Sequence, residues 1–519
     1  MTDNLTPTIG KTILETLTTG MYEDNKFVYR EYIQNSADAI DKAVKNRIIK
    51  KEEGGIWIEI EKDKKIVTIE DNGIGINYAQ SQYSLINIAE SNKDIAIDKG
   101  FRGIGRLGGL GYCDKVVFET SSKGESIKTI ITWDAKSLKE IIADRKTKEE
   151  ATEVIKKVTS LTKESEDTDK HYFKVRLENV TEQELLDVEK IRQYLSMVAP
   201  VPYSAGFPFK DKIYDELKKN DLKIDEYNIY TNQDQIFKLY TKQIYKKEGN
   251  TNKKKVIGEI FDIEFFQGKN KNNEILFYGW YGLSKFGGVM DETNPARCIR
   301  LRKYNIQIGN EFTLNKFFIE HRGNKYFFGE VFAFHKDLIP NARRDDFTDN
   351  NTYQEFSNEI KEIFHTQLYE IYRKASKIRN DYETIEKFNE FEENKKEKDR
   401  LGYINAEEKK EYDIKIEKDK QNAINAQKNL EKIKEKINEF KPLEKIFEKI
   451  TEKKPLSSLM LNSTINNEEE NKIKYISHGL SKLNKKERKI LDKVFEILRK
   501  NLAPPTVDEI IKKIEEEFK

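Results

Sequence analysis

The sequence predicts an α+β protein up to about residue 372 and a helical region after it. In the first part, short runs rich in Val, Ile, Thr and aromatic residues alternate with helical patterns and glycine-rich turns. From about residue 373 the glycines nearly vanish, and Lys, Glu, Asn and Ile dominate residues 385–450. At roughly 150 residues per domain, 519 residues correspond to three or four domains.

Residues 1–205 predict a sandwich of helices on a mixed sheet. Helical patterns lie between its strand-like runs, which are IWIEI (56–60), KIVTIED (65–71), KVVFETS (115–121) and KTIITWD (128–134). Residues 206–372 predict an α/β middle domain, with a solvated loop between 243 and 256. Its strand-like runs are EIFDIEFF (259–266), EILFYGWYGL (274–283) and YFFGEVFAF (326–334).

Residues 373–454 predict a charged helical or coiled-coil arm. Its apolar stripe has helical spacing and dense mixed charge on the other faces; the stripe is Leu430, Ile433, Ile437 and Phe440. We expect a linker at 455–471. Residues 472–519 then predict a helical segment of two helices, broken at Ala503-Pro504-Pro505.

Composition excludes several classes of protein. Lys+Arg 93 against Asp+Glu 91 leaves a net charge of +2, so a strongly basic nucleic-acid coat is not expected. We find no apolar run long enough to span a membrane and no secretory signal, and we therefore expect no membrane partner. Two cysteines, Cys113 and Cys298, exclude a disulfide scaffold and fit a reducing, cytoplasmic location.

The segment FVYREYIQNSADAIDKAVK (27–45) predicts an amphipathic helix. Its apolar face consists of Ile33, Ala37, Ile40 and Val44. The polar residues Glu31, Asn35 and Asp38 share a stripe on roughly the opposite face. In most helices such a stripe is merely solvated, but two further motifs follow it in the chain.

The second motif, KIVTIEDNGIGI (65–76), is a strand pattern that ends at Asp71 and turns through Gly73 and Gly75. A carboxylate at this position accepts a hydrogen bond from an amino group, and glycines let the backbone approach a ligand closely.

The third motif, residues 98–121, has six glycines between Gly100 and Gly111 and resembles neither a P-loop nor a Rossmann fingerprint. Dense glycines offer successive backbone N–H groups to phosphate oxygens. A flexible surface loop is the alternative interpretation.

Together the three ordered motifs resemble those of the GHKL ATPases: gyrase, the ninety-kilodalton heat-shock chaperones, histidine kinases and MutL, with the MORC proteins beside them. The chain is most similar to the chaperones, whose motifs resemble RELISNxSDALDK, DTGIGM and GxxGxGFYSAYLVADKV. Here these motifs are REYIQNSADAIDK, DNGIGI and GFRGIGRLGGLGYCDKV. The resemblance covers roughly residues 10–205 and implies a Bergerat-type ATP-binding fold.

The resemblance also implies a role for each matched residue. Glu31 would be the general base that activates water, and Asn35 would hold the Mg²⁺ that bridges the phosphates of ATP. Asp38 would contact the adenine side through water, and Asp71 would bind the adenine amino group. The glycine-rich residues would keep the pocket open or contact phosphates through their backbone; they are Gly73, Gly75, Gly100, Gly103, Ile104 and Gly105.

ATP-hydrolysing relatives supply a basic residue to the γ-phosphate from a middle domain. The candidates are Arg343 and Arg344 in DLIPNARRDDF (337–347), and Lys285 in GLSKFGG (282–288). A structural salt-bridge cluster with Asp345 and Asp346 is the alternative for the two arginines. The basic run ARCIRLRKYN (296–305) would either touch an acidic partner or nucleic acid, or form one face of a strand.

Two functions follow from the resemblance. The first is an ATPase that works as a chaperone-like clamp, a homodimer closed by ATP around protein clients or partners. The alternative is a MORC-like or MutL-like clamp on nucleic acid, for example one that acts in bacterial phage defence. A histidine kinase is disfavoured, because the first histidine is His171 and no phosphoacceptor helix precedes the ATP motifs.

Overall fold

The structure, a computed structural model, describes residues 8–18, 24–88, 105–249, 251, 253–403, 406–452, 454 and 483–518. The chain divides into two compact units, Met1–Tyr372 and Arg373–Lys519. Helices and mixed sheets make up the first unit and helices make up the described part of the second, which confirms the predicted α+β class.

An eight-stranded mixed sheet dominates the first part of the chain, with strand order β5-β4-β3-β6-β2-β1-β7-β8. Its strands are β1 (Gly55–Glu61), β2 (Ile66–Asp71), β3 (Lys115–Ser121), β4 (Ile127–Asp134), β5 (Thr159–Ser165), β6 (Tyr172–Glu178), β7 (Asn228–Thr231) and β8 (Asp234–Gln235). The helices of this region are α1 (Ile13–Thr18), α2 (Phe27–Lys45), α3 (Tyr78–Ile86), α4 (Ala135–Ala143), α5 (Ala151–Val158), α6 (Val188–Val198) and α7 (Lys210–Lys219).

The alternation along β2 places its last residue in the core. Val67, Ile69 and Asp71 are buried, whereas the residues between them are partly exposed. A period of two therefore carries the Asp71 carboxylate onto the same face as the apolar side chains, towards α2.

The edge of this sheet is completed by residues far along the chain. β7 pairs with β1 in parallel, with Gly55 opposite Asn228 and Ile58 opposite Thr231. The hydroxyl of Tyr227 also donates to the Asp41 carboxylate of α2 at 2.8 Å. The predicted boundary at 205 stays a prediction, and the sheet takes two strands from beyond it.

A second, five-stranded sheet has the order β11-β12-β15-β13-β14, and a separate two-stranded sheet pairs β9 with β10. The strands are β9 (Gln243–Lys247), β10 (Lys254–Glu259), β11 (Asp262–Lys269), β12 (Ile275–Leu283), β13 (Cys298–Lys303), β14 (Ile306–Gln307) and β15 (Phe328–Ala333). The prediction of a solvated loop over all of 243–256 was therefore wrong, because strands occupy both ends of that stretch.

The basic run at 296–305 is an interior strand rather than a partner-binding surface. All six residues of β13 are buried, including Arg300, Arg302 and Lys303. An acidic partner or nucleic acid could not reach these side chains, so that interpretation of the run was wrong.

A fully buried network of charges links this strand to its neighbours. The Glu330 carboxylate of β15 accepts from Lys238 at 2.8 Å and is also bonded by Arg302 and by the hydroxyl of Tyr203. The Arg302 guanidinium reaches the carbonyl of Met197, at the end of α6, at 2.6 Å. The network therefore joins α6 to the second sheet.

The charges in this network shift one another's pKa values. Burial, with the neighbouring charge of Arg302, lowers the pKa of Lys238 to about 8, so its ammonium stays mostly charged at neutral pH. Burial raises the pKa of the Glu330 carboxyl, but the charges of Arg302 and Lys238 outweigh burial and leave that pKa below its ordinary value. A charge removed here leaves its partners buried and uncompensated.

The described part of the second unit is helical. Phe391 stacks on Tyr412 with ring centroids 5.7 Å apart, so two long helices of the arm pack side by side. The predicted linker at 455–471 lies outside the described residues. From residue 351 onwards, the helices are α8 (Asn351–Ile363), α9 (Tyr369–Leu401), α10 (Ala406–Lys436), α11 (Lys441–Thr451), α12 (Lys485–Asn501) and α13 (Pro504–Glu517). α8 lies in the first unit, and the boundary between the units falls within α9. Among the described residues, no helix is both long and apolar enough to cross a membrane.

The buried network gives a stability prediction. Glu330→Ala leaves two buried cations without their carboxylate, and we expect it to lower the free energy of unfolding by about 3–5 kcal/mol. Glu320→Ala is the control, because it removes one carboxylate from an exposed pair with Arg322 and should barely move the urea midpoint. Equal midpoints for the two variants would contradict a structural role for the network.

Candidate active site

α2 and β2 bring the predicted carboxylates together in the interior. Glu31 and Asp38, both on α2, are 5% and 4% exposed, and Asp71 at the end of β2 is 1% exposed. Asn35, between the two helical carboxylates, is half-buried. The polar stripe of α2 is therefore not a solvated face, which removes the ordinary interpretation of such a stripe.

The turn after β2 lies directly against α2. One Asp71 oxygen accepts the backbone N–H of Gly73 at 2.9 Å, and the N–H of Ile74 donates to the carbonyl of Ala39 at 3.1 Å. A Cβ added to Gly73 would lie 2.6 Å from the Ala39 backbone. Glycine thus allows the turn to pack on the helix that carries Glu31 and Asn35.

Gly75 occupies a position that only glycine fits. Its φ is +68°, and an added Cβ would lie 1.9 Å from the carbonyl oxygen of Ser121. The next residue, Ile76, donates its N–H to the Thr120 hydroxyl at 2.8 Å, and that hydroxyl donates to the Tyr172 carbonyl at 2.9 Å. The turn is therefore fixed to the sheet as well as to α2.

Sequence reasoning missed two residues that hold this turn, Thr120 and His171. The His171 ring donates from Nδ1 to the carbonyl of Gly73 at 2.8 Å, a contact that requires the Nδ1-protonated tautomer. Alternation along β3 could have placed Thr120 on the inner face with Phe118. His171 carried no local signal, because its partner lies 98 residues away.

The glycine-rich motif begins, in the described residues, as a 3₁₀ turn over Gly105–Gly111. Gly105 lies against Glu31, since an added Cβ would be 2.2 Å from the Glu31 Oε2 atom. The Tyr32 hydroxyl of α2 donates to the Arg106 carbonyl at 2.9 Å. Burial lowers the pKa of Arg106 to about 10, which leaves its guanidinium charged at neutral pH. Gly100, Gly103 and Ile104 lie outside the described residues.

Arg30 lies 4.0 Å from the Glu31 Oε1 atom, and a second basic residue, Arg344, lies nearer to it. Its Nε lies 2.9 Å from the Glu31 Oε1 atom, and both side chains are about nine-tenths buried. Arg343 is exposed, and Lys285 is half-buried in the loop after β12. Of the three candidates for the γ-phosphate, Arg344 is the one that reaches the predicted base.

The backbone conformation of Arg344 and hydrogen bonds to its segment hold Arg344 in place. Its φ of +55° is in the left-handed region, and its carbonyl accepts the N–H of Gly309 at 2.7 Å. From α2, the Arg30 guanidinium donates to the carbonyls of Arg343 at 3.4 Å and Gln307 at 3.5 Å. The segment that carries Arg344 is therefore docked on the helix that carries Glu31.

The salt-bridge cluster considered for this segment has other members. Asp345 accepts from the Asn341 amide at 2.6 Å, and Asp346 accepts from the Tyr353 hydroxyl at 2.9 Å and pairs with Lys316. These neighbouring aspartates are committed to local contacts, while Arg344 pairs with a carboxylate on α2.

The donor set fits ATP and Mg²⁺. A buried carboxylate at the end of β2 suits an amino group, and Asn35 supplies an amide oxygen of the kind that Mg²⁺ binds together with phosphate oxygens. Among the described residues, no group of three or more His, Cys, Asp or Glu side chains is placed to hold a metal ion.

The fold and the three motifs are similar to those of GHKL-type ATPase domains, and comparison with known families finds a match to such a domain. Residues 22–168 match the family of histidine kinase-, DNA gyrase B-, and HSP90-like ATPases. That segment contains the three motifs and the turn residues Gly73, Gly75 and Thr120, but not His171 or Arg344.

The similar curated proteins are chaperones. The chain is 28% identical over 139 residues to the chaperone protein HtpG of Psychrobacter arcticus, which is 23% of this chain and 21% of that protein. It is 28% identical over 143 residues to HtpG of Coxiella burnetii, covering 24% and 23%, and 29% over 156 residues to HtpG of an Enterobacter species, covering 27% and 25%. The match thus spans about a fifth to a quarter of these relatives' length.

The geometry at Gly75 gives a second prediction. Gly75→Ala forces a Cβ onto the Ser121 carbonyl, and we expect a loss of stability well beyond the conformational cost alone. Gly124→Ala is the control, since Gly124 also has a positive φ but nothing within 4 Å of an added Cβ. The control should cost about 1–2 kcal/mol. Denaturant titrations that give both variants the same midpoint would contradict the close approach.

Proposed function

We propose that the chain binds ATP between α2 and the turn after β2 and hydrolyses it to ADP and phosphate. The observation that carries this proposal is the pairing of buried Glu31 with Arg344, beside the Asn35 amide on the same helix. A carboxylate and a fixed guanidinium beside a possible metal ligand are the groups that phosphoryl transfer to water requires.

Each predicted residue has a place in this proposal. Asp71 accepts a hydrogen bond from the adenine amino group, and Asp38 contacts the adenine side through water. Gly73 and Gly75 shape the turn beside the base, and the N–H of Gly105 faces the phosphates, with Gly100, Gly103 and Ile104 predicted to do the same. Mg²⁺, held by Asn35, supplies charge neutralisation on the phosphate oxygens when bound.

Glu31 is proposed to act on the attacking water. The water oxygen forms a bond to the terminal phosphorus, the bond from that phosphorus to the bridging oxygen of ADP breaks, and Glu31 takes the water proton. The burial of Glu31 keeps its carboxylate fixed by Arg344 and Gly105 rather than by solvent.

Arg344 is proposed to stabilise the charge that develops on the transferred phosphoryl group. A guanidinium carries five N–H donors, so one edge can pair with Glu31 while another faces phosphate oxygens. This assignment prefers Arg344 over Arg343 and Lys285, because Arg344 alone of the three is paired with Glu31 in the described structure.

Beyond the ATPase reaction, we propose a chaperone-like clamp. The HtpG relatives are named as chaperones, and the match to them covers about a quarter of this chain. The homodimer, its ATP-dependent closure and its protein clients are therefore part of the proposal. A cytoplasmic location is proposed from two free, buried cysteines.

Glu31→Ala tests the base. We expect it to retain ATP affinity and to lose about 10²–10⁴ in kcat, since the water then lacks a proton acceptor. Equilibrium binding of a fluorescent ATP analogue and phosphate release measure the two properties separately. Asp71→Asn is the comparison and should lose binding itself, because an amide cannot replace both acceptor oxygens. Unchanged phosphate release by Glu31→Ala would sink the base assignment.

Arg344→Ala tests the basic residue. We expect kcat to fall roughly a thousandfold with ATP affinity little changed, as is typical for an arginine that stabilises the transferred phosphoryl group. Arg343→Ala and Lys285→Ala are the matched controls and should retain most of the activity. If either control variant loses more activity than Arg344→Ala, the assignment moves to that residue.

A further inference from the structure

The two-stranded sheet of β9 and β10 is firmly held at one end. Ile244 is buried in the core beside the second sheet, and the N–H of Tyr245 donates to the Asn294 side chain at 2.8 Å. An ion pair between Lys242 and Glu259, with Nζ and Oε2 3.1 Å apart, closes the base. The strands extend from this anchor towards solvent.

The far end of the sheet is strongly basic. We call its five exposed lysines the basic ribbon: Lys246, Lys247, Lys253, Lys254 and Lys255. Glu248 is the single acidic residue between 243 and 258. Within the described residues, these five exposed ammonium groups form no ion pair, and the Asp291 carboxylate interacts electrostatically with Lys246.

The strand register sets like charges opposite each other. Lys247 pairs with Lys254, and Lys246 pairs with Lys255. Like charges at directly opposed positions destabilise a sheet, so repulsion between the paired lysines destabilises the basic ribbon. Because successive residues of a strand point to opposite faces, each face of the ribbon carries one lysine pair.

We propose that the basic ribbon binds duplex nucleic acid by entering a groove and contacting the phosphates on both sides. A two-stranded ribbon fits the major groove of a duplex. A membrane surface or an acidic protein face would meet one face of the ribbon and leave the other pair of lysines repelling. The groove offers anions to both faces at once, and it relieves both repulsions.

The burial of β13 supports the basic ribbon as the binding surface. The basic run at 296–305 lies inside the second sheet, so the ribbon is a place in the middle of the chain where adjacent lysines are displayed to a polyanion. The proposal does not depend on ATP hydrolysis, and its test uses no nucleotide.

The test is the salt dependence of binding to a fluorescent 30-base-pair duplex of mixed sequence, measured by anisotropy with the full chain. Four lysine–phosphate contacts should weaken binding by roughly 150-fold between 50 and 200 mM KCl, from a slope of about −0.9 per contact. In the variant Lys246→Gln, Lys247→Gln, Lys254→Gln and Lys255→Gln, the slope should become shallower by roughly 3–4.

The control variant removes the same charge from another exposed surface, through Lys123→Gln, Lys136→Gln, Lys146→Gln and Lys148→Gln. It should bind the duplex with the affinity of the unmodified chain within about twofold. The reason is that charges far from the bound duplex are screened at these salt concentrations and contribute little to the binding free energy. The far-UV circular dichroism spectrum and the thermal unfolding midpoint of each variant check that the chain is folded.

Three outcomes would overturn the proposal. One is equal loss of binding in the ribbon variant and the control variant. Another is equal or tighter binding of a single strand of the same sequence, which has no groove. The third is displacement of the duplex by polyglutamate at equal charge concentration, which would point to an acidic protein instead. Preferred duplex binding that is lost in the ribbon variant alone supports it.

Discussion

The ion pair between Glu31 and Arg344 is the contact on which the arrangement of the site depends. One partner comes from the helix that packs on the first sheet, and the other comes from a loop more than three hundred residues later. Both side chains are buried, so each charge needs a partner, and Arg30 adds a second, longer ion pair to Glu31. The pair therefore requires that α2 and the segment around Arg344 be positioned together, which Arg30 and Gly309 also support.

A second set of buried charges holds the framework behind that pair. Glu330 joins Lys238 and Arg302 within the second sheet, and Arg302 reaches the end of α6. β13 and β14, which lead to Gln307 and Gly309, are thus fixed close to the backbone that supports Arg344. The Glu31–Arg344 pair at the site and the Glu330 network in the core thus connect elements of the two sheets. Hydrogen-bonded ion pairs of this kind depend on direction more strongly than apolar packing does.

Much of this could be predicted from the sequence because the signals were local. The strand at 65–71, the helix at 27–45 and the glycine turn each carry their own periodicity. What the sequence left open was tertiary. Arg343 and Arg344 are chemically equal neighbours, and the sequence does not show that Arg344 has a left-handed backbone and is the one that faces Glu31. Likewise, ARCIRLRKYN has the composition of a surface, and only the buried partners of its charges place it in the core.

The parallel pairing of β1 with β7 has a consequence for folding of the chain during translation. During translation β1 leaves the ribosome long before its partner, because Gly55 pairs with Asn228, ~170 residues later. At roughly 5–20 residues per second, the edge of the first sheet stays unpaired for on the order of 10–30 s. Throughout that interval the nascent chain presents an open strand edge, the kind of surface on which chains aggregate. Cellular factors that bind nascent chains would protect this domain at that stage.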